Sequence, residues 1–330
     1  MKEIDTNFVK EETVDYNYYF RLIKGKQRIL AFQSALRSSV RDGDVVVEIG
    51  AGLGTYSFFA AQSGAKRVYA IEKERVVQVA EELAVRNGLA ERITFVPGIS
   101  TEVVLPEKGD VLELEDFSSL FVRRGIEEMV HDAIDRHLKE DGIVIPQTVS
   151  LSVAPVGDLD LWKSCLNLED DSYKLYGLDF GFLRQMTLDS PHVRTISAHG
   201  LLARPIAFKT IDLKTTRNYL FDEVLVAKID RSGTMYGLAG WFDLNLTNNV
   251  RISNAPGNAE STWNQVFFPF SNPLNVNQGE TVMLKLSCTK SSRTRDIWWT
   301  WQASAASGVA DNRSFQGIPL PSALFGRVNR

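Results

Sequence analysis

The sequence is poor in the residues that build disulfide frameworks and metal centres. Its 330 residues include two cysteines, Cys165 and Cys288, and four histidines. Two cysteines so far apart in the chain are too few for a disulfide scaffold or a cysteine-rich metal site. We therefore expect a fold without disulfides and a functional site without a metal.

Long apolar runs and an excess of basic residues are missing as well. No segment approaches the roughly 20 apolar residues of a membrane helix. The formal net charge is −4 and the pI is about 5.7, which argues against a protein that binds nucleic acid through its phosphates. The amino terminus lacks the basic and then apolar order of a signal peptide. We expect a cytoplasmic protein with no membrane and no nucleic-acid partner.

A glycine-rich turn follows an apolar run early in the chain. Residues 45–54 read Val-Val-Val-Glu-Ile-Gly-Ala-Gly-Leu-Gly. A strand that passes into a glycine turn and a helix is typical of the first unit of a doubly wound sheet, which binds its ligand at the carboxyl ends of the strands. In a dinucleotide-binding turn the third glycine lies three residues after the second, whereas Gly50, Gly52 and Gly54 are evenly spaced.

Two acidic residues favour S-adenosylmethionine over NAD as the cofactor. Glu48 lies at the end of the first apolar run, where it would repel a pyrophosphate but can hold an ammonium group through water. Glu72 ends the next apolar run and suits the ribose hydroxyls that either cofactor offers. Together these residues predict S-adenosylmethionine and leave an NAD-dependent oxidoreductase as a distant alternative.

The length and the apolar patterns predict two domains behind leading helices. Residues 1–40 are predicted to hold the helices. Residues 41–147 alternate between strands (45–49, 67–71, 93–97, 110–114, 142–145) and helices (55–62, 75–87, 125–138). Residues 148–330 are predicted to form antiparallel strands (149–153, 224–229, 237–246, 281–286), with loops at 247–259 and 303–313.

This order of segments resembles the protein arginine methyltransferases from about Tyr16 to about Gln302. The resemblance implies an α/β fold: a doubly wound, Rossmann-like methyltransferase domain followed by an antiparallel β-barrel domain. It also implies that the aromatic-rich segment 167–199 is an inserted arm through which the protein forms a homodimer.

The resemblance also implies roles for individual residues. Cofactor contacts are expected from the leading helices, the glycine turn, the end of the second strand and the adenine segment, at Tyr19, Phe20, Arg28, Glu48, Gly50, Gly52, Gly54, Glu72, Lys73, Ser100, Thr101 and Glu115. Arg28 is the residue expected at the cofactor carboxylate. Catalytic roles are expected at Glu115, Asp116 and Trp263, with Trp263 closing the substrate pocket from the β domain.

The sequence departs from the family at the substrate hairpin. The family has two glutamates nine residues apart; Glu115 matches the first, but Arg124 stands at the position of the second. An arginine cannot grip a guanidinium group. Either Asp116 or Glu113 is the alternative source of the second acid. Arg124, beside Arg123, either grips a carboxylate, of a small substrate or of Glu115, or lies solvated at the start of a helix.

These observations predict an S-adenosylmethionine-dependent N-methyltransferase. The expected acceptor is a guanidino or amino group on a small molecule or peptide rather than on a basic protein tail, because the second acidic grip is missing. Two alternatives stay open. One is an O- or C-methyltransferase of specialised metabolism, and the other is a non-catalytic interaction module that retains the cofactor fold.

Overall fold

The computed structural model of the chain describes residues 15–166, 174–258, 263–292 and 294–314. In these ranges the chain forms two leading helices, a parallel sheet with helices, and a set of antiparallel strands. The strands pair in parallel up to Ile145 and antiparallel from Thr148 onwards.

The leading helices are α1 (Tyr16–Lys24) and α2 (Lys26–Ser39). The Asp15 side chain begins α1 by accepting a hydrogen bond from the Tyr18 amide. Helix α2 buries one face at helical spacing, formed by Arg28, Phe32, Ala35 and Leu36. This face brings an arginine into the protein interior among apolar side chains.

The parallel sheet carries the glycine turn at its centre. Its strands are β1 (Val45–Ile49), β2 (Arg67–Glu72), β3 (Ile93–Pro97), β4 (Gly109–Leu114) and β5 (Leu138–Ile145), and its helices are α3 (Thr55–Gln62), α4 (Val77–Arg86) and α5 (Ile126–His137). The spatial order is β3-β2-β1-β4-β5, with all pairs parallel. The strand order reverses between β1 and β4, and ligands bind at such a switch point.

The second part is antiparallel throughout. Its elements are β6 (Thr148–Val156), α6 (Leu159–Leu166), β7 (Lys174–Leu175), β8 (Leu178–Asp179), α7 (Gly181–Leu188), β9 (His192–Arg194), β10 (Ile206–Asp212), β11 (Phe221–Lys228), β12 (Gly233–Asn245), β13 (Arg251–Ser253), β14 (Gln265–Val276), β15 (Thr281–Lys290), β16 (Ile297–Ala305) and β17 (Gly308–Arg313). One sheet has the order β10-β6-β12-β14-β9, with β13 on β12, and the other has β11-β15-β16-β17. Trp299 and Trp301 pack on Phe268 between them.

The prediction of a loop at 303–313 is wrong. Strand β16 runs on to Ala305, and β17 pairs with it in the register Trp301↔Asn312 and Ala303↔Ala310. Small buried side chains fit here because the tryptophans of β16 already fill the interior. The loop predicted at 247–259 is interrupted by the short strand β13, and its last residue lies outside the described ranges.

The arm is shorter than the predicted segment 167–199. Residues 167–173 lie outside the described ranges. The β7–β8 hairpin and α7 carry exposed apolar side chains, as expected of an arm. Strand β9, however, pairs with β14 and therefore belongs to the large sheet. Three residues of strand are too few to produce a recognisable alternation in the sequence.

Among the described residues, no helix is long and apolar enough to cross a membrane.

Gly237 allows β12 and β14 to pack closely, and its replacement tests the described β architecture. A Cβ at Gly237 would lie 2.3 Å from the Phe268 carbonyl oxygen and 2.7 Å from the Phe267 ring. We expect Gly237→Ala to lower the free energy of unfolding by about 3 kcal/mol or more, measured by denaturant titration. Gly233→Ala, in the same strand, is the control because its Cβ meets only Leu202 at 3.4 Å. Equal stability of the two variants would contradict the described packing.

Candidate active site

The glycine turn lies between β1 and α3 at the carboxyl end of the sheet. Gly50, Gly52 and Gly54 have φ angles of 77°, 54° and 75°, a conformation that strains other residues. A Cβ at Gly52 would lie 3.4 Å from the Tyr19 ring, so Tyr19 of α1 covers the turn. A ligand can therefore reach the backbone of the turn only where the Tyr19 ring does not cover it.

Glu72 is tied to this turn by backbone amides. Its Oε2 accepts a hydrogen bond from the Gly52 amide at 2.8 Å, and its Oε1 accepts one from the Glu74 amide at 2.7 Å. Burial raises the pKa of Glu72, while the two amide bonds oppose that rise. Each oxygen keeps a further lone pair for a ligand hydroxyl. The exposed Lys73 side chain lies 3.9 Å from Glu74 and outside this arrangement.

The predicted adenine segment is held by helix α5. The Ser100 carbonyl accepts hydrogen bonds from Arg136 Nη2 at 2.6 Å and from His137 Nε2 at 3.1 Å. Arg136 also donates to the Val103 carbonyl. Thr101, at the turn of the segment, is exposed. Arg136 and His137 were missed from the sequence because they act through backbone contacts made between distant segments.

Arg28 and Glu115 form a buried ion pair at the centre of the site. Arg28 Nη1 donates to Glu115 Oε2 at 2.7 Å, and Nη2 donates to the Leu22 carbonyl at 2.6 Å. The Arg28 side chain is 3% exposed and that of Glu115 is 14% exposed. Desolvation raises the pKa of Glu115 to about 7, against the opposing charge of Arg28.

Trp263 closes the site from the β domain. The Arg28 guanidinium lies 5.5 Å from the centre of its ring, a cation–π distance. Phe117 stacks on Trp263 at 5.7 Å, and Phe242 meets it edge-on at 5.2 Å. Asn254, missed from the sequence, joins the two parts: it donates to the Ser119 carbonyl and accepts from the Phe242 amide.

Two further acids, Glu48 and Glu113, lie in the strands beside the ion pair. Glu48 and Glu113 are opposite each other in the register of β1 and β4, and both are buried. Ser57 of α3 donates a hydrogen bond to Glu48. Burial raises the pKa of Glu48 to about 8 and raises the pKa of Glu113 well above its ordinary value, with the neighbouring carboxyl adding to the rise. Burial therefore favours the uncharged form of both groups in the ligand-free site.

Two residues predicted for the site, Phe20 and Asp116, are exposed. Phe20 is exposed on α1, whereas Tyr18 approaches Glu115 and Asp116, whose charges add to burial in raising its pKa. The side chain of Asp116 is 62% exposed and forms an ion pair with Arg123 at 2.9 Å.

Arg124 is oriented away from Glu115. It lies at the surface, 3.2 Å from Asp296, so the alternative in which it grips Glu115 is wrong. Among the described residues, no cluster of histidine, cysteine, aspartate or glutamate has the arrangement of a metal site.

Comparison with known proteins identifies the family. Residues 147–304 match the model of the arginine methyltransferase oligomerization subdomain. The chain is 26% identical to protein arginine N-methyltransferase PRMT10 of rice, with 91% of each chain covered. It is 30% identical to the probable histone-arginine methyltransferase CARM1 of rice, over 91% of this chain and 61% of the relative. The chain belongs to the protein arginine methyltransferase family.

Two solved structures of the family share the fold. The Trypanosoma brucei PRMT1 enzyme–prozyme heterotetrameric complex with AdoHcy has a TM-score of 0.82 at 20% identity, with 90% of this chain and 98% of that chain covered. Arabidopsis thaliana protein arginine methyltransferase 10 has a TM-score of 0.77 at 22% identity, with 92% and 98% covered. The predicted combination of a Rossmann-like domain and an antiparallel β-barrel domain is thereby confirmed.

The burial of Glu48 predicts that the stability of the ligand-free protein depends on pH. Since the pKa of Glu48 rises from 4.5 to about 8 on folding, the folded state holds a proton that the unfolded state has lost between these values. The contribution of Glu48 to the free energy of unfolding of the ligand-free protein therefore falls with rising pH, by up to about 1.4 kcal/mol per pH unit.

Glu48→Gln tests this directly. We expect the variant to match the wild type near pH 4.5 and to be more stable at pH 7.5, with a flatter pH dependence between, measured by denaturant titration. The amide oxygen can still accept the bond from Ser57. A wild type and a Glu48→Gln variant with the same pH dependence of stability between pH 5 and 8 would contradict the raised pKa of Glu48.

Proposed function

We propose that the protein transfers a methyl group from S-adenosylmethionine to a guanidino nitrogen of an arginine-like small molecule or peptide. The observation that carries this proposal is the Arg28–Glu115 pair, placed under Trp263 and beside the glycine turn. The family relatives are named as protein arginine N-methyltransferases, and one solved relative is a complex with AdoHcy, the demethylated form of the cofactor.

The residues around the turn fit the cofactor. The glycine turn lets the backbone approach a ligand, and Glu72 presents two anchored carboxylate oxygens to the ribose. Arg28 still has donor capacity for a carboxylate, because within the described residues its Nε has no hydrogen-bond partner. When bound, the cofactor supplies a methyl group that is already activated by the positive sulfur.

Glu115 is suited to hold the acceptor. Its carboxylate lies at the end of β4 beside the turn and is largely shielded from water. A carboxylate there can accept hydrogen bonds from a guanidinium and fix the direction of the reacting nitrogen. Trp263 and Phe117 exclude water from one side of this space. The protein thus orients and desolvates the acceptor.

The hairpin surface favours a small or weakly charged acceptor over a basic tail. Arg123 and Arg124 follow Glu115 on the hairpin, where Arg123 pairs with Asp116 and the exposed Arg124 pairs with Asp296. Like charges at this position disfavour a basic polymer. Arg123 and Arg124 do not repel an acceptor that carries its own carboxylate.

A methyl-transfer assay with labelled cofactor tests the function. We expect transfer to L-arginine, Nα-acetyl-L-arginine amide or a neutral arginine peptide, with a higher kcat/KM than for an arginine-rich basic peptide. Preference for the basic peptide would contradict the assignment of acceptor class. Binding of the cofactor product without transfer to any acceptor would favour a non-catalytic module.

Glu115→Gln tests the role of the acidic grip. We expect at least about a 100-fold loss of kcat because the amide cannot stabilise the positive charge on the guanidinium as the carboxylate does. The cofactor product should still bind, as measured by calorimetry. Glu107→Gln, at an exposed acid hydrogen-bonded to Tyr69, is the control. A Glu115→Gln variant with wild-type turnover on every accepted substrate would refute the role.

The arm supports a proposal of self-association. Tyr176 at the tip of the β7–β8 hairpin is 94% exposed, and Leu178 is 61% exposed. Exposed apolar groups clustered on a projection are typical of an interface, and the matched family model is an oligomerization subdomain. We therefore propose a homodimer formed through the arm.

Light scattering with size-exclusion chromatography measures this directly. We expect the wild type to run as a dimer, and Tyr176→Ser combined with Leu178→Ser to shift it towards the monomer because the apolar contact is lost. Val309→Ser, at an exposed apolar residue of β17 outside the arm, should leave the dimer intact. A wild-type monomer, or an unchanged dimer in the arm variant, would contradict the assignment.

A further inference from the structure

Glu113 is a buried carboxyl group that the proposed reaction does not yet use. It is 1% exposed, and neither of its oxygens has a hydrogen-bond partner among the described residues. An unpartnered polar group in the interior is costly, so its presence in a central strand requires an explanation. An apolar residue would fill the same place without this cost.

The groups that face Glu113 come from each element packed around it. Glu48 is directly opposite on β1, and Glu115 follows two residues later on the same face of the chain. Arg28 of α2 and Tyr56 of α3 complete the surroundings. Glu48 raises the pKa of Glu113 and Arg28 lowers it, so Arg28 is the cation that ionised Glu113 would meet.

Arrival of a cationic acceptor changes the balance of charge around Arg28. In the ligand-free site Arg28 and Glu115 neutralise each other. A guanidinium bound at Glu115 leaves two cations sharing one carboxylate of the protein in a buried place, which is unfavourable. The cofactor does not correct this imbalance, because its own carboxylate comes with an ammonium group. The hairpin offers no further acid, since Arg123 holds Asp116 and Arg124 faces Asp296.

We propose that Glu113 is a charge-balancing residue of the acceptor site, which loses its proton to solvent and becomes a partner of Arg28 when a guanidinium occupies Glu115. The inference rests on the proposed function. It makes Glu113 a positioning residue, which acts on the acceptor through Arg28 and Glu115. Arg28 is the cation whose charge ionised Glu113 offsets, while its free Nε–H stays available to the cofactor carboxylate.

Calorimetry with a charged probe and an uncharged probe tests this. Nα-acetyl-L-arginine amide is titrated into the full chain with S-adenosylhomocysteine present, at pH 7, in buffers of different ionisation enthalpy. The uncharged isostere Nα-acetyl-L-citrulline amide is the matched probe. We expect the wild type to bind the arginine probe more tightly than the citrulline probe and to release protons with it, from Glu113 and from the protonated fraction of Glu115.

The variants separate this role from a purely structural one. We expect Glu113→Gln to bind the arginine probe roughly 10-fold more weakly or worse, because a charge-assisted bond is lost, and to release about one proton fewer than the wild type. Its affinity for S-adenosylhomocysteine and its thermal midpoint should not fall. Glu113→Asp should recover proton release and part of the affinity, and Glu107→Gln should behave as the wild type.

Two results would overturn the inference, and they differ in scope. If the wild type binds the arginine probe and Glu113→Gln binds it with the same affinity and proton release, Glu113 has no role in charge balance, and the proposed function stands. If the wild type binds S-adenosylhomocysteine but not the arginine probe, both this inference and the guanidino acceptor are wrong.

Discussion

The buried ion pair between Arg28 and Glu115 is the interaction on which the site depends. It joins helix α2 to the end of β4, and the cation–π contact of Arg28 adds Trp263 from the β domain. Removal of one partner would leave an uncompensated charge in the interior, which is far more costly than an exposed charge. The pair therefore fixes the leading helices, the parallel sheet and the β domain around one point, beside the glycine turn.

The carboxyl groups beside this pair suit the site to the binding of cations. Burial raises the pKa of both Glu48 and Glu113, and the charge of Glu48 adds to the rise for Glu113, so the ligand-free site opposes their ionisation. A methyl donor with a positive sulfur and a guanidinium acceptor both bring positive charge into this space. A carboxyl group that loses its proton only when a cationic ligand binds stabilises that ligand. In the ligand-free site the protonated group does not repel the neighbouring carboxylates. This explains why acids lie where a core would otherwise be apolar.

Local pattern was enough to predict the glycine turn, the central strands, the leading helices and Glu72. Each carries a signal within a short window: an apolar run, a turn residue or a spacing. Arg28 and Glu115 were predicted from the resemblance to the family. The pairing of β16 with β17 was missed because the side chains of this segment are small and polar, and the tryptophans that fill the interior beside them are recognised only in space. The sequence could not place Arg124 at the surface or show that Asp116 pairs with Arg123, because both depend on contacts around the hairpin. The anchoring of Ser100 by Arg136 and His137 is hidden for the same reason.

A crystal structure with S-adenosylhomocysteine and Nα-acetyl-L-arginine amide measures the central claim most directly. The account predicts the ribose hydroxyls on Glu72, the cofactor carboxylate on Arg28, and the guanidinium on Glu115 under Trp263. A guanidinium bound away from Glu115, or a site in which Arg28 and Glu115 stay paired and exclude the probe, would contradict it.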